Sequence, residues 1–583
     1  MTALRAPVPR RGRRLPAAVA AAAAAALLAG CVSIPTEGPI SRGSPAPAEQ
    51  SLSIPLPLGP QEGSDEEEIV AGFLSAAQAG VFQDYATARQ FLAPGTEWDP
   101  RPATMVASQN PVVTRTGAGS VVVDVELAAQ VDESGVYREA TRTPGPELQL
   151  PFELRQVAGE WRISSLPDGV VFRDSAFVNA YAQVPLYFAT PDRTVAVPDV
   201  RWLPSTRGTL LLRTVQALLA GPSPWLRDAV VTALPNLGSA LEDVAGPDAA
   251  GVVTVGLSSE VNAVELPDDA RELLQAQLEA TLMSSNLRGI AVSGVEVTVR
   301  GSPWEVQPSR VDPLVLEVLP GSGPYAVADA RVVEVRGQEE PVPVDGLPSL
   351  GSMAAHHPAV SVDEDVWVVL DGPRRLVLLP TDGSGPVTLH EGADDDVLLP
   401  PSVDRFDWTW TGAAASGGTL LAVSPAGEVV EVSAPWLAGR EVGSIRVSRG
   451  GSRVAIASVG VDGATTLEVA AVIRNASGVP QLLGEERLAV GAHLTEVTEI
   501  TWLDGASLAV LGTEEGGQPG VYEVPVGGPT RLLQAAPEDT VGIAAGRDGE
   551  TVYAVDSAGV LRLLRTSSWV QVAEGLRDPS FPG

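Results

Sequence analysis

The stretch Asp504-Gly505-Ala506-Ser507-Leu508-Ala509-Val510-Leu511 decides the fold of the C-terminal part of the chain, because its pattern returns at Asp548-Gly549-Glu550-Thr551-Val552-Tyr553-Ala554-Val555. Each copy is an Asp-Gly turn followed by a short apolar strand, and the two turns lie 44 residues apart. Looser copies include strands at residues 366–370, 419–423 and 453–457. Short strands that repeat every roughly 40–50 residues are typical of β-propeller blades. We therefore predict an all-β propeller of about five to six blades over residues 306–583, with a pair of β-sandwiches as the alternative.

Two regions that mix helices and strands precede the propeller. The pattern Ser64-Asp65-Glu66-Glu67 is that of a capping box at the start of a helix. A second helical pattern includes Phe82, Tyr85, Phe91 and Leu92, and strands follow it. The next region has the order strand, helix, hairpin, helix, strand, at residues 184–189, 209–220, 252–257 with 261–266, 267 onward and 295–299. We predict a multidomain chain with two small α+β domains, over residues 64–183 and 184–305, ahead of the propeller.

The N-terminal segment has the layout of a signal peptide. Arg10-Arg11-Gly12-Arg13-Arg14 is followed by an apolar stretch of 14 residues, Leu15 to Leu28, and then by Ala29-Gly30-Cys31. A membrane-spanning helix needs about 20 apolar residues, so this stretch is too short to span a bilayer. We predict a signal peptide over residues 1–30 and a Pro/Gly-rich tether over residues 31–63.

Composition excludes several classes of function. The formal net charge is −33, and such a surface repels nucleic acids and anionic lipid headgroups. The chain contains no lysine, which excludes P-loop nucleotide binding and Schiff-base chemistry. It has one cysteine and four histidines, so a disulfide within the chain and a cysteine-rich zinc site are excluded as well.

The residues that could serve in catalysis, metal binding or ligand stacking have a simpler structural interpretation. We expect His356-His357, which Pro358 follows, to lie in a solvated loop before the first blade. We interpret Asp394-Asp395-Asp396 as a charged loop tip, because the spacing of a calcium-binding loop is absent. Trp408 and Trp410 share one face of a strand and are predicted to belong to a blade core. The prediction is therefore a protein that is not an enzyme, with no catalytic residue, no metal site and no cofactor.

The end of the predicted signal peptide resembles the lipobox of bacterial lipoproteins, matched by Leu28, Ala29, Gly30 and Cys31. The resemblance implies cleavage before Cys31, an S-diacylglyceryl group on its sulfur and an acyl group on its freed amine. Cys31 is the only cysteine in the chain. Two or more acyl chains give stable membrane anchoring, so the resemblance implies a cell-membrane lipoprotein held at the extracytoplasmic face.

The chain as a whole resembles the LpqB family of actinobacterial lipoproteins. Its middle region looks like a GerMN domain, and Gly159–Ser164 with Leu166–Val171 looks like the family's N-terminal domain. Val197–Pro204 looks like the segment that links the two. The motifs that carry the GerMN resemblance are Leu186-Tyr187-Phe188, Leu218-Leu219-Ala220-Gly221-Pro222, Leu234-Pro235 and Asn286-Leu287-Arg288-Gly289.

This resemblance implies a non-catalytic accessory protein, an adaptor that binds the extracellular domain of an MtrB-like sensor histidine kinase. Through the MtrA–MtrB two-component system it would modulate signalling linked to cell-wall homeostasis and division. No motif assigns a residue to that contact. Two alternatives stay open: a lipid-anchored binding protein for cell-wall fragments such as glycan, at the propeller mouth or the GerMN cleft, and, third, a propeller hydrolase.

Overall fold

The computed structural model describes most of the chain after the N-terminal segment. The described residues are 57–81, 84–140, 148–205, 208–233, 240–258, 268–284, 287–304, 313–321, 323–415, 418–546 and 549–583. The signal peptide, the lipobox with Cys31 and most of the tether lie outside them, as do Phe82, Leu234-Pro235, Asn286 and the predicted strand at 261–266. Within the described ranges, no helix combines the length and apolar character needed to cross a bilayer.

The described residues contain four α-helices: α1 Glu66–Gly80, α2 Asp174–Ala180, α3 Leu210–Ala220 and α4 Asp268–Ser284. The capping box at α1 exists, but it lies one residue later than predicted. Asp65 accepts a hydrogen bond from the Glu68 backbone N–H at 2.9 Å, and the Glu68 carboxylate accepts one from the Asp65 N–H at 3.1 Å. The start of the helix is set by its apolar face, because Ile69 and Phe73 are the positions that the domain buries.

The first domain packs α1 against two four-stranded sheets. The sheets have the strand orders β2-β3-β6-β7 and β5-β4-β1-β8, and α1 contacts strands of both. The predicted second helix is wrong over its described part, residues 84–92, where a single 3₁₀ turn forms at Ala88–Phe91. The strands are β1 Ala103–Ala107, β2 Val112–Gly117, β3 Ser120–Val125, β4 Leu127–Asp132, β5 Tyr137–Glu139, β6 Leu148–Val157, β7 Glu160–Ser165 and β8 Val170–Arg173.

The second domain combines a long hairpin with a mixed sheet. The hairpin is β9 with β10, and the sheet has the order β11-β12-β13-β14, in which β12 and β13 are parallel. Helix α4 supplies the crossover that a parallel pair requires. The strands are β9 Tyr181–Ala189, β10 Ala196–Pro204, β11 Leu241–Ala245, β12 Val252–Leu257, β13 Gly294–Val299 and β14 Ser302–Pro303.

One expectation for this domain lies outside the described residues and one is corrected. The strand at 252–257 forms an antiparallel pair with β11, which precedes it, while its predicted hairpin partner at 261–266 is not among the described residues. The expected linking segment Val197–Pro204 is not a linker, because it lies within β10 and pairs with β9 along its whole length.

The third domain is built from twenty-four described strands, and the fold class of two α+β domains followed by a propeller is confirmed. The strands are β15 Tyr325–Ala328, β16 Arg331–Glu334, β17 Val342–Pro343, β18 Ala355–Val360, β19 Trp367–Asp371, β20 Arg375–Leu378, β21 Val387–Glu391, β22 Ser402–Val403, β23 Thr409–Thr411, β24 Thr419–Val423, β25 Val429–Ser433, β26 Glu441–Val447, β27 Arg453–Val459, β28 Thr465–Arg474, β29 Pro480–Val490, β30 Leu494–Trp502, β31 Ser507–Glu514, β32 Gly520–Pro525, β33 Arg531–Ala535, β34 Thr540–Ala545, β35 Val552–Asp556, β36 Leu561–Arg565, β37 Ser568–Ala573 and β38 Arg577–Ser580.

These strands form antiparallel groups of four arranged in a ring, and two of the groups are joined into one eight-stranded sheet by a parallel bridge between β25 and β29, Ser433 opposite Leu482. The groups are β15-β16-β17 with β38, β18 to β21, β22 to β25, β26 to β29, β30 to β33 and β34 to β37. Their strands β18, β22, β26, β30, β34 and β38 contact one another in a closed cycle. The C-terminal strand β38 pairs with β15, Tyr325 opposite Ser580, so the end of the chain completes the group that β15 begins.

The hairpin of β9 and β10 lies where the three domains meet. Trp202 is 7% exposed, and its ring lies 5.5 Å from Tyr137 and 4.9 Å from Phe177, which belong to the first domain and to α2. Its indole N–H donates to the carbonyl of Gly527 in the propeller at 3.0 Å. One buried cluster of apolar side chains continues from this hairpin through α3 into the propeller, where it includes Leu488. The three domains therefore share buried contacts.

We expect Trp202→Phe to lower the free energy of unfolding by about 1–3 kcal/mol, because a phenyl ring keeps most of the stacking but leaves the buried Gly527 carbonyl without its donor. Trp569→Phe is the matched control. Its indole donates to the Ala535 carbonyl at 2.8 Å, but at an exposed position where water replaces the lost donor. Denaturant unfolding of the full chain measures both variants, and equal losses would contradict the role assigned to Trp202.

Candidate functional site: a cleft between the first two domains

A cleft of about 1330 Å³ separates the first domain from helix α3 of the second. One wall is formed by the loop after α1, the segment 97–101 and the turn 132–135, and the other by α3. Tyr181 and Trp202 of the hairpin line the junction of the two walls. Pockets for small molecules usually have about 300–1,000 Å³, so this cleft is large enough for an oligomeric ligand.

Aromatic rings give the first-domain wall a rigid base. Trp98 packs edge-on against Phe73, with ring centroids 5.0 Å apart, and against Tyr85 at 5.5 Å. The Trp98 indole donates to the Gly169 carbonyl at 3.1 Å, which holds the ring in place. Edge-to-face pairs of this kind stabilise a packed arrangement beyond the area they bury. Tyr85 lines the cleft and is half-buried, so its outer side is open to a ligand.

The loop that carries Tyr85 has a strained backbone. Asp84 and Tyr85 both adopt left-handed conformations, with φ of +52° and +59°. For residues other than glycine this costs on the order of 1–3 kcal/mol each, and such strain often occurs at binding sites. Gly80 makes the turn feasible, because a Cβ atom there would overlap the Tyr85 ring.

The α3 wall presents one free cation. Arg213 is half-buried, lines the cleft and forms no hydrogen bond or ion pair through its side chain with the described residues. Its charge acts on two phenols, that of Tyr85 on the opposite wall and that of Tyr181 on the hairpin. Burial raises the pKa of Tyr85 and of Tyr181, and the nearby Arg213 offsets part of that rise. Both hydroxyls therefore stay protonated, and that of Tyr181 is hydrogen-bonded to Thr104 at 3.0 Å.

The other cations of the cleft are already engaged. Arg101 forms a bidentate pair with Asp99, at 2.9 and 3.0 Å. Arg89 lies over the Trp98 ring, 5.6 Å from its centroid, and donates to the Trp98 carbonyl at 3.3 Å. The carboxylates of Asp84, Glu97 and Glu133 on the first-domain wall make no ion pair within the described ranges. The two walls therefore expose uncompensated charges of opposite sign.

A buried ion pair fixes the corner of the cleft. Asp199 accepts hydrogen bonds from Arg201 at 2.7 and 3.1 Å and from the N–H and hydroxyl of Ser223 at 2.7 Å each. Arg201 also donates to the Ser134 carbonyl of the first domain at 2.7 Å. Breaking such a pair by removing one partner costs about 3–5 kcal/mol. Sequence reasoning missed these residues, although Asp199 and Arg201 lie two apart on one strand, which places them on one face.

The propeller mouth that faces the second domain is filled by the protein itself. The segment 316–318 and residues 195–198 of the hairpin lie over the propeller turns at 448–453 and 504–505, and the cavity left there has about 20 Å³. At the axis, Arg449 donates to the carbonyls of Trp502, Ala545 and Pro582 at 3.0, 3.2 and 3.3 Å. Burial lowers the pKa of Arg449 to about 10, and the carboxylates of Glu317 and Asp504 oppose that shift.

The histidine pair is placed differently from the prediction. His356 and His357 lie in strand β18 of the ring, not in a loop before the first blade. His356 Nε2 is 2.9 Å from the Gly372 carbonyl, and His357 Nδ1 is 3.5 Å from the Asp578 carboxylate. The strand forms because β19 pairs with it and β38 packs beside it, which the sequence around the pair does not indicate.

The aspartate run and the tryptophan pair lie where the sequence predicted them. Asp394 lies on an exposed loop and pairs with Arg374. Trp408 and Trp410 are buried in a blade core, and the Trp410 indole donates to Asp404 at 2.7 Å. In the described portion of the chain, no group of three His, Cys, Asp or Glu side chains is positioned to hold a metal ion. Cys31, Leu28, Ala29 and Gly30 are outside the described residues, so the lipidation site stays a prediction.

Three domain families match the chain in sequence. Residues 59–178 match the family described as lipoprotein LpqB, N-terminal domain. Residues 185–305 match the Germane family of sporulation and spore germination, and residues 330–582 match the lipoprotein LpqB β-propeller domain. The chain is thus of the class of bacterial lipoproteins that combine a GerMN domain with a β-propeller.

Full-length relatives identify the family. The chain is 30% identical to lipoprotein LpqB of Streptomyces coelicolor, with 98% of this chain and 99% of the relative covered. It is 29% identical to lipoprotein LpqB of Thermobifida fusca, covering 98% and 100%, and 26% identical to that of Cutibacterium acnes, covering 95% and 96%. The chain belongs to the LpqB lipoprotein family. The name of these relatives implies a membrane-anchored, extracytoplasmic location.

The half-buried His357 of β18 predicts a pH-dependent stability. Burial lowers the pKa of His357 to about 4, and the neighbouring Asp578 opposes the shift. An unfolded histidine titrates near pH 6.5, so between about pH 6.5 and pH 4 the unfolded chain binds a proton that the folded chain excludes. Stability should therefore be fully present above pH 6.5 and fall as the pH drops through this window.

We expect His357→Asn to reduce the slope of thermal midpoint against pH between about pH 6.5 and pH 4. Asparagine is suitable because it tolerates the left-handed backbone of this residue, whose φ is +48°. Calorimetry of the full chain at several pH values measures the slope. A slope identical to that of the unsubstituted protein would rule out His357 as a contributor.

Proposed function

We propose that this protein is a membrane-anchored adaptor of a two-component system of the MtrA–MtrB type, and that it binds the extracellular domain of the sensor histidine kinase. The observation that carries the proposal is the continuous core that joins the second domain to the propeller. A body whose domains are packed together offers a partner a broad surface of fixed shape. In this proposal the protein modulates signalling linked to cell-wall homeostasis and division, and it carries out no reaction of its own.

Polar contacts around the shared core support a fixed domain arrangement. Glu139 of the first domain accepts hydrogen bonds from two propeller loops, at Ala492 N (3.2 Å) and at the Thr530 hydroxyl (2.7 Å). Arg405 of the propeller pairs with Asp192 of the second domain at 2.7 Å. Because little reordering is needed on binding, a preorganised surface retains more of its interaction energy as affinity.

The charge of the protein suggests the character of its partner surface. With a formal net charge of −33, the protein attracts a basic surface over a long range. Such attraction accelerates association and is screened by salt. We therefore propose that the contacted surface of the sensor is rich in Arg and Lys.

The anchor in this proposal is a lipid on Cys31. One acyl chain binds a membrane only marginally, whereas two or more hold a protein there stably. An acidic ectodomain needs such an anchor, because it gains no attraction from anionic headgroups. The tether that follows Cys31 would give the adaptor reach towards a neighbouring sensor.

We expect the detergent-solubilised full chain to bind the purified extracellular domain of the sensor with a dissociation constant in the micromolar range or below. The affinity should fall by about tenfold between low and high salt, because the attraction is electrostatic. Calorimetric titration at several salt concentrations measures both quantities. If both proteins are shown to be folded and no heat of binding appears, the adaptor proposal fails.

A substitution at the anchor separates membrane attachment from partner binding. We expect Cys31→Ser to release the protein from the membrane fraction, since a hydroxyl cannot form the thioether, while its affinity for the sensor domain in solution is unchanged. Ser33→Ala, two residues further on, is the matched control and should stay with membranes. Fractionation followed by immunoblotting gives the result, and a membrane-bound Cys31→Ser variant would refute the lipid anchor.

A further inference from the structure

We propose that the cleft between the first domain and α3 binds a short zwitterionic peptide, with a carboxylate of the ligand on the α3 wall and an ammonium group on the first-domain wall. This site is independent of the adaptor proposal, since neither requires the other. The inference rests on the size of the cleft and on the placement of its uncompensated charges.

Arg213 is the group that would hold the carboxylate. It is half-buried in the α3 wall and makes no side-chain hydrogen bond or ion pair with any described residue. A guanidinium presents a planar fork of donors that matches a carboxylate in bidentate fashion. The protonated Tyr85 hydroxyl faces Arg213 from the first-domain wall, close enough for Arg213 to influence its pKa, and is a further donor for the same carboxylate.

The opposite wall suits an ammonium group. Asp84, Glu97 and Glu133 line it, and none has an ion-pair partner among the described residues. Arg101 is held by Asp99 and its charge also acts on Glu133, while Arg89 is held by the Trp98 ring and carbonyl, so neither arginine forms an ion pair with Asp84 or Glu97. A ligand that carries both charges can satisfy both walls at once, which a ligand with one kind of charge cannot do.

The same arrangement disfavours other classes of ligand. A polyanion would meet the free carboxylates of the first-domain wall, and like charges in one site repel. A neutral sugar can accept hydrogen bonds from Arg213 through its hydroxyls, but it supplies no charge to either wall and so gains less than a charged ligand. The volume of about 1330 Å³ accommodates a peptide of several residues, with or without an attached sugar, and Tyr85 offers a ring face for its apolar part.

Calorimetry on the detergent-solubilised full chain tests the proposal with three probes. The first is the tripeptide L-Ala-γ-D-Glu-meso-diaminopimelate, which carries several carboxylates and free amines. The second is the same peptide linked to a muramyl disaccharide, and the third is chitobiose, a neutral disaccharide. We expect both peptide-bearing probes to bind and chitobiose not to bind. Tighter binding of the linked peptide would identify a wall glycopeptide as the source, and equal binding would identify the free peptide.

Substitutions decide whether the cleft is the site. Arg213→Gln should weaken peptide binding at least tenfold. Amidation of the tripeptide's carboxylates should weaken its binding to the unsubstituted protein by a similar factor. Arg331→Gln, at an exposed propeller arginine without an ion pair, is the matched control and should bind normally. Glu97→Gln combined with Glu133→Gln should weaken binding through the ammonium end, which tests the opposite wall without altering α3.

Three results would overturn the proposal: no binding of either peptide probe, binding of chitobiose as tight as that of the peptides, or unchanged affinity in Arg213→Gln. Thermal midpoints of every variant show that it is folded. Titration of the sensor domain against the same Arg213→Gln sample distinguishes the two proposals. If this variant loses peptide binding but still binds the sensor, the substitution acts on the cleft alone and the adaptor proposal is unaffected.

Discussion

The side chain of Trp202 contacts all three domains, and the packing of the protein depends on the hairpin that carries it. Its ring stacks on the first domain, its N–H donates to the propeller, and its strand belongs to the second domain. Next to Trp202 in the same strand, the buried pair of Asp199 and Arg201 ties this strand to the loop after α3 and to the turn of the first domain. A buried ion pair is costly to desolvate, and the hydrogen bonds from Ser223 and to Ser134 offset that cost.

This hairpin also determines which surfaces stay available for function. By lying over one end of the propeller, it and the segment 316–318 close a mouth that many propellers keep open, and Arg449 fills the axis beneath them. The same hairpin leaves a wide cleft on its other side, between α3 and the first domain. The end of the propeller that the hairpin covers therefore supports the other domains. The accessible cleft, with Arg213 on one wall and carboxylates on the other, lies between the first two domains.

How far the sequence predicts the fold depends on whether the deciding contacts are local. The Asp-Gly repeat at 504 and 548 predicted blade strands, and both copies form the second strand of their group, because turn chemistry and alternation act over a few residues. The pairing of β12 with β11 and β13 was not predicted, since these neighbours are chosen by packing against distant segments. His356-His357 was misplaced because Pro358 favours a loop locally, whereas pairing with β19 makes the segment a strand.

The sequence by itself determined the order of domains, the all-β character of the propeller, the acidic surface and the exclusion of lysine chemistry, because each follows from composition or short-range pattern. Its lipobox likeness also carries the prediction of an anchor at Cys31. Only the tertiary structure decided that the strand expected to be a linker joins three domains, that Arg449 occupies the propeller axis, and that Arg213 stands across a cleft from Glu97. These facts depend on groups far apart in the sequence, from 53 residues for Arg449 and Trp502 to 325 for Trp202 and Gly527, whose meeting is governed by the burial of shared apolar surface and not by any local signal.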